Sequence, residues 1–534
     1  MKIIDFLLDT LVANDVNRIF GNPGTTEISL VAACEKRDDV KYIVGLSEIA
    51  AVPMADGYAR ATRSLGVVNL HVAPGLGNGM GALYTAGIVG SPILVLIGGQ
   101  DRRFLHTDPI LWGPVEQMAS SVCKKVYTLH TEYDAAATIR RAVRDAITSP
   151  HAPVALICPP DLMAFEIEST PIRVEVPRQS GLAKNDVESY VRLLTEACNP
   201  AFIAAEDIYW NDASSSLEQI ASVLCAPIYV APYTGVLPIS SNSPWYAGYL
   251  PPSISQLAER LVNHDILLFV GGRGLRTTLH SEAKLKSKMA WLGNNANVIP
   301  IGDEFQLSCS VDLRLALNQI ENQLSDKKRK KTAPLKRQAF DLPPLGKNEM
   351  HPTRAVHALL RHFSDALWVD ESGLSTSDVR EWMKLRAGEY LINGSGGIGW
   401  GLPAAVGAAL GRPDRTVIAI SGDGSSLYAS EAMWTAENRG TKILLIILSN
   451  RRYATLNAAA GKLINGELSS FTIEPPVLDF SGLAKLYGWA HVRSASERDL
   501  EEFLISIGPK PERNTLLEII LDPSVKPVTA FRHF

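Results

Sequence analysis

No apolar run in this 534-residue chain reaches membrane-spanning length, and Met1-Lys2-Ile3-Ile4-Asp5 shows no signal-peptide pattern. Cysteine is sparse. The six residues (Cys34, Cys123, Cys158, Cys198, Cys225, Cys309) are scattered and never spaced Cys-x-x-Cys, which argues against a disulfide framework or a thiolate metal site and for reduced core residues. A formal charge of −4 excludes a polyanion-binding surface as the organising feature. The basic run Lys327-Lys328-Arg329-Lys330-Lys331 stands alone without interleaved aromatics, so it reads as a solvated linker. No acidic residue closes the strand near position 95 that follows Gly75-x-Gly77-x-Gly79-x-Gly81, which rules out a dinucleotide fingerprint there. Those glycines are expected to form a tight strand-to-helix turn against a close-packed helix. The expectation is a soluble, cytoplasmic protein with neither nucleic acid nor membrane as partner.

What is present is globular: 46% hydrophobic and 20% charged residues, over a length that suits roughly two to four domains. Strand-like and helix-like segments alternate throughout, which predicts doubly wound α/β domains with parallel central sheets. The first spans residues 1–175, with strands expected at Arg18–Phe20, Tyr42–Leu46, Gly66–His71, Ile93–Ile97 and Val154–Ile157. The second spans 180–325, with strands at Pro200–Ala205, Pro227–Val230 and Ile266–Val270, the last followed by Gly271-Gly272-Arg273-Gly274. That tetrapeptide reads as a loop or, less specifically, as a phosphate cradle. Residues 326–349 form a linker, and 350–534 a third domain with strands at Leu367–Asp370, Thr416–Ser421, Ile443–Leu448 and Leu516–Leu521.

The third domain carries the organising stretch. Strand Thr416–Ser421, the turn Gly422-Asp423-Gly424-Ser425-Ser426, a helix, and strand Ile443–Leu448 ending in Ser449-Asn450 form a βαβ unit. This order brings Asp423 and Asn450 to the carboxyl ends of two parallel strands, where open α/β sheets bind ligands. A carboxylate and an amide oxygen suit Mg²⁺, which takes about six oxygens and borrows some from a phosphate. The alternative is an ordinary turn with an Asp N-cap.

Gly422-Asp423-Gly424 with Asn450 resembles the diphosphate-binding motif of thiamine diphosphate (ThDP) enzymes. Phe20-Gly21-Asn22-Pro23-Gly24, Ser47-Glu48, Ala55–Arg60 and Asn69-Leu70-His71 with Gly77-Asn78 resemble, in order, the pyrimidine-binding domain of that family. The resemblance covers essentially the whole chain. It is nearest the 2-oxo acid decarboxylase and acetolactate synthase group, on its benzoylformate decarboxylase side. It implies ThDP and Mg²⁺ as cofactors, with Asp423, Asn450 and the Arg452 carbonyl on the metal. It implies Glu48 at the pyrimidine ring, where a poorly solvated carboxyl favours the imino tautomer. Further implied roles are His71 as acid/base, Thr25 toward the substrate carboxylate, and Ile398 folding the cofactor into a V. Cofactor contacts are implied for Asn22, Pro23, Gly24, Asn78, Gly373, Leu374, Gly396, Gly422, Gly424, Ser425, Tyr428, Tyr453, Ala454, Thr455 and Leu456. The implied partners are a small 2-oxo acid and further copies of the chain, as a dimer of dimers whose sites close between subunits.

Three departures stand out. A second histidine of the family has His280 as its nearest counterpart, about two positions late, with Arg276 or Thr278 able to occupy the space. Arg451-Arg452 replaces small residues. Ala459 replaces a bulky aromatic, which predicts a roomier pocket. The expected reaction is non-oxidative decarboxylation of a 2-oxo acid to an aldehyde. Its rivals are an acetolactate synthase-like carboligase, an acyl-CoA lyase on the same fold, and a catalytically silent homologue. Retention of Glu48, Asp423 and Asn450 argues against the last.

Overall fold

The computed structural model describes residues 1–177, 179–278, 282–300, 304–324, 341–344 and 350–528. Three six-stranded sheets follow one another along the chain, and every pairing within them is parallel. Their central strands are runs such as Ile93–Gly98, Ile266–Val270 and Ile443–Ser449, buried at every position. Continuous apolar runs of this kind need helices on both faces, and parallel pairing supplies them through the crossovers.

In the first sheet the spatial order is Lys41–Val44, Arg18–Gly21, Gly66–Leu70, Ile93–Gly98, Val154–Cys158, Lys125–Thr128. In the third it is Tyr390–Ile392, Leu367–Glu371, Val417–Gly422, Ile443–Ser449, Thr515–Ile520, Ala490–Ser494. These are the same topology. Each sheet grows outward from its first strand in one direction and then reverses, so a crevice opens at the carboxyl ends of its first and third strands. In the first sheet that crevice lies between Gly21 and Leu70; in the third, between Glu371 and Gly422. The middle sheet runs Phe305–Ser310, Lys288–Gly293, Ile266–Val270, Pro200–Ala204, Ile228–Val230, Tyr246–Tyr249, with its crevice between Ala204 and Val270.

The helices that follow the second strand of the first and third sheets, Glu48–Thr62 and Gly401–Gly411, cross each other. Contact is backbone to backbone: a side chain at Gly57 would run into the Ala404 carbonyl, and one at Gly407 into the Met54 carbonyl. Beside this crossing Asp56 and Arg60 form a fully buried pair. Asp56 accepts from Trp400 Nε1 (2.8 Å), while Arg60 donates to the carbonyls of Ile392 (2.8 Å) and Gly235 (3.2 Å), so one guanidinium ties segments of all three domains together. Replacing Gly407 by Ala tests the crossing. Helix propensity favours Ala by about 1 kcal/mol, but overpacking against main chain, which has no rotamer to yield, costs roughly 1–3 kcal/mol. The expected result is net destabilisation, read as a lower urea midpoint.

Several expectations shift. The glycines from Gly75 to Gly81 lie inside helix Val72–Ile88, not in a turn before it. Packing overrides propensity there, because Gly75 sits against Glu48 and His71 and Gly79 against Val52 and Leu70. The helix after Gly422 is a single turn, Asp423–Ser426, and the longer helix starts only at Ala432. Strands at Lys125, Tyr246, Lys288, Phe305, Tyr390 and Ala490 were not anticipated. The basic linker run and His280 lie outside the described residues. Among the described residues no helix is long and apolar enough to cross a membrane.

Candidate active site

Two groups of predicted residues assemble, one at each outer crevice. In the first, Asn22 follows strand Arg18–Gly21, and Ser47 caps helix Glu48–Thr62 by accepting from Ala50 N–H (3.2 Å). Glu48 is 5% exposed, and its two carboxylate oxygens accept from Asn22 Nδ2 (3.3 Å) and Asn78 Nδ2 (3.1 Å). Both donors are neutral amides, and the carboxyl lies in a largely dry setting.

His71 caps helix Val72–Ile88, and its Nδ1 lies 2.8 Å from Glu27 Oε2 and 3.2 Å from Thr26 Oγ1. Glu27 is 2% exposed and also accepts from Gly24 N–H (2.9 Å) and Thr26 Oγ1 (2.6 Å). A side chain at Gly24 would strike the imidazole, and one at Gly98 would strike the Glu27 carboxylate. Glu27 therefore fixes the ring's orientation, a role the sequence did not reveal. Its only signal is a Glu three residues after Gly24, which reads equally well as a first-turn capping residue. Thr25 is exposed, and it is its neighbour Thr26 that bonds to the histidine. Val72, directly after His71, has φ +45°, a strained backbone for a β-branched residue of the kind held at functional sites. Beside Val72 a cavity of about 390 Å³ opens, lined by Leu105, Trp112, Leu129 and Ile157 and also by Arg102, Glu116 and His130.

The second group stands at the third sheet. Strands Val417–Gly422 and Ile443–Ser449 pair with Gly422 opposite Leu448, so Asp423 and Asn450 leave neighbouring strand ends together. Asp423 Oδ1 accepts from Gly424 N–H (2.8 Å) and Oδ2 from Arg451 N–H (2.6 Å), while Asn450 Oδ1 accepts from Arg452 N–H (3.1 Å). Burial pushes the Asp423 carboxyl up to about 6, opposed by these backbone N–H groups. The Arg452 carbonyl accepts from Ala454 N–H (3.0 Å), which leaves it a second lone pair. Arg451 has φ +61°, the second strained non-glycine backbone next to a predicted site residue. One carboxylate, one amide oxygen and one carbonyl are the donor set of a hard cation that takes its remaining oxygens from phosphate and water. Among the described residues no cluster of three or more His, Cys, Asp or Glu offers a different metal centre.

Around this edge Gly373 (φ +61°) lies against Thr455, Leu374 packs with Ala454 and Ala458, and Tyr453 covers Gly424. Ser425 is half-buried. Gly396 (φ +84°), Ile398, Tyr428 and Leu456 are exposed, with Tyr428 packed on Gly399. Ala459 is half-buried in helix Ala454–Leu463. The hydrogen bonds of Glu48 and His71 stay within the first sheet's group and do not reach Asp423 or Asn450. What joins the first group to its own third sheet is structural: Ser47 Oγ to Glu431, Thr435 Oγ1 to the Val44 carbonyl (2.9 Å), and Arg439 to the Tyr42 carbonyl (2.8 Å).

At the middle crevice Gly272 N–H donates to the Asp207 carboxylate (2.6 Å). Arg276 donates to the carbonyls of Tyr233 (2.9 Å) and Gly394 (3.3 Å) and lies 3.5 Å from buried Glu206.

The family model of the N-terminal TPP binding domain of thiamine pyrophosphate enzymes matches residues 1–123, and that of the C-terminal TPP binding domain matches residues 371–514. This chain is a thiamine pyrophosphate enzyme. The matches span four strands of each of the two sheets that share a topology, and both residue groups fall inside them. Benzoylformate decarboxylase of Pseudomonas aeruginosa is 30% identical, over 92% of this chain and 94% of its own. The acetolactate synthase large subunit of Lactococcus lactis is 24% identical, over 97% and 92%. Among solved structures, the thiamine diphosphate-dependent 4-hydroxybenzoylformate decarboxylase of Rhodococcus jostii superposes with a TM-score of 0.88 at 27% identity, covering 98% of this thiamine pyrophosphate enzyme and 99% of its own chain.

Proposed function

We propose that this enzyme is a ThDP- and Mg²⁺-dependent decarboxylase that converts a 2-oxo acid to an aldehyde and CO₂. When bound, the cofactor supplies a thiazolium that accepts the electron pair released with CO₂. The protein's part is to hold, orient and protonate. Asp423, Asn450 and the Arg452 carbonyl would hold Mg²⁺ on the diphosphate. Glu48 would exchange a proton with the pyrimidine ring, Ile398 would support the cofactor, and Thr25 would lie toward the substrate. The observation that carries the decarboxylase reading is His71 hydrogen-bonded to the buried Glu27, a dyad able to deliver the proton that aldehyde release requires. A carboligase forms a carbon–carbon bond at the centre that the decarboxylase protonates, and needs its proton on the acceptor oxygen instead.

The family resemblance implies that Glu48 of one copy and Asp423 of another would serve one cofactor, in a dimer or a pair of dimers. Leu46 and Ile49, which flank Glu48, and Ile398, Tyr428 and Leu456 in the other group are large exposed apolar residues that such a contact would cover. Asp207 argues against an acyl-CoA lyase, because its carboxylate takes the Gly272 N–H that a nucleotide phosphate would need. The cavity beside Val72 and the small Ala459 favour an acyl group larger than the methyl of pyruvate.

The test is a panel of aliphatic, branched and aromatic 2-oxo acids with ThDP and Mg²⁺, scored for CO₂, aldehyde and acetolactate. The expected outcome is CO₂ with equimolar aldehyde, and higher kcat/KM for bulky apolar acids than for pyruvate. Acetolactate as the main product from pyruvate would overturn the reading in favour of a carboligase.

A further inference from the structure

The glycine stretch from Asn393 to Gly401 is the part of the site with least reason to hold a shape. It contains Gly394, Gly396, Gly397 and Gly399, and chain of this composition loses much conformational entropy on ordering. Its apex, Gly396 to Ile398, is exposed. Its two ends are nonetheless drawn together by one side chain. Glu371, the last residue of strand Leu367–Glu371 and 8% exposed, accepts from Asn393 Nδ2 (3.3 Å) at the loop's start. The same carboxylate accepts from Trp400 N–H (3.0 Å) and Gly401 N–H (3.1 Å) at its end. Gly401 allows this approach, since a side chain there would come within 2.8 Å of Glu371 Cβ. Inside the loop Asn393 Oδ1 accepts from Ser395 N–H (3.0 Å), and Ser395 Oγ meets Thr85 Oγ1 (2.7 Å) on the first domain's helix. The neck is therefore fixed by Glu371, and the position of Ile398 follows from the neck.

We infer that Glu371 is a positioning residue: its carboxylate closes the neck of the 393–401 loop and so sets the platform that Ile398 offers the cofactor. Burial pushes its carboxyl up to about 7, against the backbone N–H groups that favour the ionised form. A group kept at that electrostatic disadvantage has an organising use, because an apolar residue would fill the same space without it. This inference rests on the ThDP reading and adds a residue that touches neither metal nor cofactor.

The test is Glu371→Gln, which keeps the shape but turns an amide N–H₂ toward the backbone donors. Two readouts are needed: hydrogen exchange of the peptide covering 393–401 in the cofactor-free protein, and calorimetric titration with ThDP plus Mg²⁺. Loss of a charge-assisted hydrogen bond predicts exchange at Trp400 and Gly401 faster by about ten- to a hundredfold and ThDP affinity lower by a similar factor. Exchange in helix Glu48–Thr62 and the thermal midpoint should stay near wild type. Wild-type exchange at the neck, or wild-type affinity for ThDP, overturns the inference. If Glu371→Gln does not fold, Asn393→Ala loosens the other end of the neck and must change both readouts in the same direction. Failure of the wild-type protein to bind ThDP is a separate result and would instead sink the proposed function.

Discussion

Glu48→Gln will bind ThDP and Mg²⁺ normally and turn over at least about a hundredfold more slowly, within the 10²–10⁴ range that positioned acid–base groups contribute. The substitution is nearly isosteric, and Asn22 Nδ2 can still donate to the remaining carbonyl oxygen. Asn78 Nδ2, which donates to the second carboxylate oxygen, will face an amide N–H₂ instead; it is exposed and able to turn toward solvent. What disappears is a titratable proton in a pocket that Gly75 leaves just deep enough for a carboxyl. Calorimetry for affinity and a coupled aldehyde assay for kcat separate the two effects. Turnover at the wild-type rate would remove Glu48 from the chemistry.

Asp423→Ala should act on binding instead. Asp423 is the anionic member of the proposed donor set, Asn450 and the Arg452 carbonyl being neutral, so its loss removes the charge that would hold a divalent cation against a diphosphate. Outer-shell changes at metal sites typically cost 10–100-fold in affinity, and loss of a direct ligand should exceed about a hundredfold for ThDP. Chelation of Mg²⁺ from the wild-type protein should mimic it, reversibly on adding metal back. The pair of variants also tests the shared site. Separately dead Glu48→Gln and Asp423→Ala chains, mixed and allowed to exchange subunits, should recover activity, because each hybrid dimer holds one site with an intact Glu48 facing an intact Asp423. No recovery would show that each chain builds its site alone.

The parts of the fold legible in the sequence were those buried on both faces. Ile93–Gly98, Ile266–Val270 and Ile443–Ser449 are uninterrupted apolar runs and declare themselves. Most strands that escaped are short, such as Tyr390–Ile392, or lie at sheet edges with mixed polarity, such as Lys125–Thr128 and Phe305–Ser310; the interior strand Lys288–Gly293 is the exception, its apolar run being only Met289–Leu292. Their existence is decided by the neighbour they pair with, not by their own residues. Asp423 and Asn450 were readable because a strand end supplies the context for each. Glu27 and Glu371 were not, since what each does depends on a partner brought close only by the fold: His71 for one, the neck of a glycine loop for the other. The internal glycines of helix Val72–Ile88 misled for the same reason, as their value is in the groups they let approach.

The crossing of helices Glu48–Thr62 and Gly401–Gly411 has an evolutionary corollary. Where main chain rests on main chain, the angle between two domains is carried by atoms that every amino acid shares. Side chains elsewhere are then free to drift without turning one half of the catalytic apparatus away from the other. A crossing of that kind is compatible with a relative that shares only 27% of its residues superposing at a TM-score of 0.88.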